Sequence, residues 1–212
     1  MGRGLTGPLI PFKTMKKIAA LGLIALVASI AAARADIIPS FAGASTIGDP
    51  SNPSTIFAYN IDITSQQSAM SGDFFTIYDF GPFVSGSNVQ PSGWTFSSSL
   101  VGTTPAKTNP TDDVSLFNLT WVYNGPTISG ANPAGQGIGP FQVTILGPMP
   151  RLGRSDFAAQ GTLATGPNAG TKVGNVGRIP VPVPVPEPST LALITAAGLG
   201  LIGRAVSRRR QS

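Results

Sequence analysis

The chain has 212 residues, a formal net charge of +5 and neither Cys nor His. No disulfide is possible, the usual zinc, iron and copper ligands are missing, and a Ser-His-Asp or Cys-His nucleophile would have no base. The charge is also uneven. Nine of the fourteen basic residues lie near the ends, while residues 36–178 carry five basic residues against eight aspartates, a net charge of −3. Such a middle has no electrostatic footprint for a phosphate backbone, so nucleic acid is excluded as an expected partner.

The first element in chain order is a targeting segment. Met15-Lys16-Lys17 opens a positive stretch, residues 18–30 (IAALGLIALVASI) are apolar, and Ala33-Arg34-Ala35 is a small-x-small cleavage pattern. These three parts read as a secretory signal peptide over residues 1–35, cut between Ala35 and Asp36 by signal peptidase. Pro8 and Pro11 fit poorly in a positive leader, which makes Met15 an alternative start. The other reading, an uncleaved membrane helix, meets an apolar run that is short for a span.

The body follows, over residues 36–178, with strand signals and no helical period. Residues 55–63 (TIFAYNIDI) alternate, putting Phe57, Tyr59, Ile61 and Ile63 on one face. Residues 73–80 (DFFTIYDF) are aromatic-rich and stop at Gly81-Pro82, and residues 93–99 (GWTFSSS) put Trp94 and Phe96 on one side. Residues 114–123 (VSLFNLTWVY) place Phe117, Leu119, Trp121 and Tyr123 on one face, and residues 141–146 (FQVTIL) alternate again. Shorter candidates lie near residues 157–163 and 172–176. Period-two alternation of β-branched and aromatic residues between Gly, Pro, Asn and Ser clusters argues half-buried antiparallel strands. The expected fold is all-β. It is an antiparallel β-sandwich, jelly-roll or immunoglobulin-like, flanked by an N-terminal signal helix and a C-terminal transmembrane helix. Its core should contain Phe57, Phe75, Leu119, Trp121, Val143 and Ile145.

After the body, residues 179–188 read IPVPVPVPEP. Each proline lacks a backbone donor and fixes φ, so a helix or a central strand is ruled out and an extended Pro-Val linker is expected over residues 179–186. From Pro188 to Ser207 there are 20 residues, mostly small and apolar. As a helix they span about 30 Å, one hydrocarbon core. Arg208-Arg209-Arg210 should stay cytoplasmic as the topology signal, leaving the body outside.

Pro186-Glu187-Pro188-Ser189-Thr190, the apolar run and the arginine-rich end together resemble the PEP-CTERM sorting signal. The resemblance covers residues 187–212, and the tripartite order makes it specific. Members of that class are read by an exosortase, a membrane-embedded processing enzyme of bacteria that make exopolysaccharide. The resemblance implies that the tail is a temporary inner-membrane anchor, cut near Pro186-Glu187-Pro188, with Glu187 a recognition residue for the enzyme. The processed body is then expected in the cell envelope or outside the cell. The stretch running from Asp112-Asp113 through residues 118–123 (NLTWVY) to Gly125-Pro126 is similar to β-rich bodies of other PEP-CTERM proteins, which bears on fold rather than function.

The body offers few chemical groups. Its only side-chain carboxylates are aspartates, so a glycosidase pair is conceivable in Asp79 with Asp112 or Asp113. Residues 135–139 (GQGIG) lack the lysine and helix of a phosphate loop. Asp112 and Asp113 are calcium candidates, since calcium takes several oxygens from loop ends. The competing reading is a turn whose side chains bond their own backbone. Trp94, Trp121, Tyr59, Tyr78 and Tyr123 stack on sugars if exposed, and are core if buried. No cofactor is expected. The expected function is a non-catalytic exported surface or matrix protein, associated with exopolysaccharide. The alternative is a carbohydrate-binding module using exposed aromatics, with or without calcium. Burial of both tryptophans favours the first.

Overall fold

A computed structural model describes residues 36–130 and 136–183. The signal segment with Ala33 and Ala35 lies outside the described residues. So do Pro186-Glu187-Pro188-Ser189-Thr190, the apolar run and Arg208-Arg209-Arg210. Among the described residues there are ten strands and no helix.

β1 (Ile37–Ile47) and β2 (Ser54–Ile63) form an antiparallel hairpin. The connection is set by Gly48, at φ +89°, and by Asp49, whose Oδ1 accepts the N–H and the hydroxyl of Ser51 at 2.8 and 2.7 Å. β3 (Gln67–Ala69), β4 (Phe74–Ile77), β5 (Trp94–Ser99), β6 (Asn118–Tyr123) and β7 (Ile128–Ser129) follow. The last three strands, β8 (Gln136–Leu146), β9 (Leu152–Leu163) and β10 (Lys172–Pro182), are long.

One sheet has the order β1-β2-β8. The other runs β5-β6-β4-β9, with β3 and β7 in line beside β4 and β6 and with β10 on the far edge of β9. β3 and β4 lie on the same side of β9: Ser68 faces Thr162, and Phe74 faces Gln160. They behave as one strand broken by residues 70–73. Every pairing is antiparallel.

Side chains on a strand alternate faces, and here the apolar sets meet. Phe57, Tyr59, Ile61 and Ile63 of β2 and Phe141, Val143 and Ile145 of β8 are buried against the larger sheet. That sheet supplies Phe75, Ile77, Leu119, Trp121 and Tyr123. Phe141 joins the two layers, edge-on to Phe75 at 4.9 Å and to Trp121 at 5.8 Å. The arrangement is sandwich-like, and all six residues expected in the core are buried.

Three expectations change. Residues 114–117 are not strand: Asp113 Oδ1 accepts the N–H of Ser115, Leu116 N–H bonds the Asp113 carbonyl, and β6 begins only at Asn118. Phe117 is therefore exposed and meets the edge of Phe83 at 5.7 Å instead of entering the core. Next, β6 is buried on both faces, because the loop of residues 100–117 covers its polar side. Thr120 Oγ1 contacts Thr76 Oγ1 at 2.9 Å, and Thr76 donates to the Thr103 carbonyl. Finally, the sheet outlasts Arg178. Residues 179–182, expected in the linker, complete β10, with Ile179 and Val181 buried. Prolines are tolerated there because β10 is an edge strand, paired only with β9.

Candidate functional site

The aromatic residues decide first. Trp121 is fully buried and Trp94 is 4% exposed, and Tyr59, Tyr78 and Tyr123 are buried as well. Trp94 sits among Phe75, Tyr123 and Phe141, with ring centroids 5.0–5.8 Å apart. The phenols point to backbone. Tyr59 donates to the Pro180 carbonyl at 2.9 Å, Tyr78 to the Thr103 carbonyl at 2.8 Å, and Tyr123 to the Pro126 carbonyl. Burial pushes the Tyr59 phenol far above its ordinary range. Burial also raises Tyr78; a hydrogen bond with Thr104 opposes the rise, and the nearby Asp112 and Asp156 add to it. None of these five rings forms a platform for a sugar.

The aspartates come together around the loop of residues 100–117, and they hold it down. Asp112 Oδ2 accepts the Gly102 N–H at 2.9 Å and Oδ1 accepts the Asn118 amide at 2.8 Å. Asp79, in left-handed backbone at φ +51°, accepts the Asp113 N–H at 2.7 Å and the Ser155 hydroxyl at 2.9 Å. Asp156 Oδ2 accepts the Thr111 N–H at 2.8 Å, and its Oδ1 lies 3.6 Å from Arg178 Nε. The exposed Asp113 carboxyl is held below its ordinary range by the Ser115 hydroxyl and then by the Ser115 N–H. A depressed carboxyl contributes stability that is present above its unfolded value and lost as pH falls through the folded one.

The Asp112-Asp113 segment is thus a carboxylate-bonded turn. No group of three or more His, Cys, Asp or Glu side chains that could hold a metal ion occurs among the described residues. Calcium up to about 10 mM, at or above the dissociation constants of extracellular calcium modules, is expected to leave the thermal midpoint unchanged. Asp112→Ala is expected to cost about 1–3 kcal/mol by stripping Gly102 and Asn118 of their acceptor. A calcium-dependent rise in the midpoint that Asp112→Ala removes would overturn this reading.

Sequence reasoning missed one feature, an apolar groove of about 470 Å³ where β8 turns into β9. Phe83, Leu146, Met149, Pro182 and Val183 are among its lining residues. No motif announces it, because its walls come from three separate stretches of chain that read individually as strand ends and turns. No family model, curated protein or solved structure matches the chain.

Proposed function

We propose that this is a non-catalytic exported protein of the bacterial cell surface or exopolysaccharide matrix. A PEP-CTERM helix anchors it temporarily and an exosortase processes it. The observation that carries this reading is the order Pro186-Glu187-Pro188, apolar run, Arg208-Arg209-Arg210, behind an N-terminal export signal. The two facing sheets are read as an antiparallel sandwich that folds outside the inner membrane. The burial of Trp94 and Trp121 supports a structural body over a sugar-binding module. So does the use of the aspartates as acceptors for the body's own backbone.

Mass spectrometry of the protein from its own cells tests both ends. The mature chain is expected to start at Asp36 and to lack the residues after the Pro186-Glu187-Pro188 region. An intact segment over residues 16–35 would overturn the signal half, and a retained residue 189–212 tail would overturn the sorting half.

A further inference from the structure

The end of the body where the chain leaves β10 combines an apolar groove with exposed aliphatic and basic side chains. The turn from β8 to β9 and the chain exit are tied together by the Val183 N–H on the Arg151 carbonyl, at 2.9 Å. Beside this tie opens the apolar groove. Large side chains stand out around it: Leu146 is 74% exposed, Leu152 45%, Met149 44% and Val183 38%. Exposed aliphatic groups occur elsewhere on the body, as at Val89, Val101 and Val114, and here they border a groove.

Charge collects at the same end. Of the five basic residues in 36–178, four lie on β9 and β10 or directly before them. Lys172 opens β10 at its far end beside Asp73, while Arg151, Arg154 and Arg178 lie toward the chain exit, Arg178 with Asp156 3.6 Å away. Arg154 and Arg178 reach across the pair to each other's carbonyls, at 3.1 and 3.3 Å, and both side chains are exposed. A second copy docking through this end would set arginines against arginines. An apolar ligand confined to the groove would leave the arginines without a role.

A lipid surface uses both features, taking aliphatic tips below its headgroups and arginines at its phosphates. Chain length brings one within reach. Four residues lie between Val183 and Pro188, where the apolar run begins. As polyproline II, the five steps reach roughly 15 Å.

We infer that this end of the body docks on the anionic face of the membrane that anchors the chain, with Leu146, Met149 and Val183 inserted at the interface and Arg151 and Arg154 on lipid phosphates. The inference rests on the anchor reading above and adds a second contact to it. The docked body holds Glu187 at the bilayer surface until the chain is cut. Shallow apolar contact alone binds reversibly, so the cut body leaves.

The chain has no cysteine, so single labels are specific. The full chain carrying Met149→Cys, Ser98→Cys or Ala197→Cys is labelled with an environment-sensitive fluorophore. It is then reconstituted in phosphatidylcholine–phosphatidylglycerol vesicles containing acyl-brominated lipid. Ser98 is exposed on β5, at the sheet edge opposite β10, and serves as control. Quenching is expected at 149 and 197 and not at 98, and R151Q/R154Q should reduce it at 149 alone. Quenching at 197 without quenching at 149 overturns the docking and leaves the anchor standing. Loss at both overturns both, and equal quenching at 149 and 98 overturns docking by this end. Unchanged quenching at 149 in R151Q/R154Q overturns the role given to the arginines.

Discussion

Asp73→Ala is expected to cost the folded body about 3–5 kcal/mol, while Asp73→Asn costs about 1 kcal/mol. Asp73 is fully buried at the break between β3 and β4. Its Oδ2 accepts the Met70 N–H and the Thr162 hydroxyl, both at 2.8 Å, and its Oδ1 accepts from Lys172 Nζ at 2.6 Å. The same short excursion anchors β6, through Gly72 N–H on the Tyr123 carbonyl and Tyr123 N–H on the Asp73 carbonyl. Alanine removes the acceptor from two inward donors and leaves a void beside them. Asparagine can turn its carbonyl oxygen toward Met70 and Thr162 and its amide outward. It then loses only the bond to Lys172, whose side chain is 41% exposed and can return to water. Urea denaturation followed by the fluorescence of the buried Trp94 and Trp121 reads the difference. Equal costs for the two variants would show that the Lys172 charge, rather than the two inward donors, is what Asp73 serves.

That arrangement also shows what the sequence could and could not disclose. β2, β5, β6 and β8 were legible because their apolar residues recur every second position, β4 because it is rich in aromatic residues, and the core residues read from them are buried. β1 was not legible. Pro39, Gly43 and a register shift between Phe41 and Gly43 interrupt its alternation, and its partner β2 supplies the order. β3 and β7 are three and two residues long, too short to carry a period, and exist because β9 and each other complete them. The burial of Asn118 and Thr120 was hidden for a different reason. It depends on a loop that Asp79, Asp112 and Asp156 fasten down; in the sequence Asp79 reads as half of a carboxylate pair, Asp112 as a calcium ligand or turn residue, and Asp156 carries no signal. The limit of the body was misplaced by treating proline as a stop, although β10 has a free edge that needs no donor. For the site, the proposed sorting motif is a matter of contiguous residues and is read from the sequence alone. The groove is assembled from residues 82–84, 145–150 and 182–183, and only folding brings these together.

Glu187→Gln, expressed in the native host, is expected to remain in the inner membrane at its larger size while the wild type matures and leaves. Three features must act together for this. On the proposed reading, the alternating prolines after Val183, which lack backbone donors, leave the boundary open to a processing enzyme. Glu187 is the only glutamate in the chain and stands one residue before the start of the apolar run at Pro188. On the same reading, the 20 residues from Pro188 to Ser207 are long enough as a helix for one hydrocarbon core, about 30 Å, with Arg208-Arg209-Arg210 as the cytoplasmic signal. A plain anchor requires only the span and the arginines, and for it the substitution changes nothing, because glutamine preserves size and polarity outside the membrane. Folding of the body is not in question either, since Val183, the last described residue, precedes Glu187 by four positions. The variant therefore separates recognition from anchoring. Fractionation followed by sizing reads the outcome. Retention with the body folded assigns Glu187 to recognition by the processing enzyme. Maturation of Glu187→Gln at the wild-type rate would remove Glu187 from that role and leave the tail as an anchor whose cleavage, if any, is directed by something else.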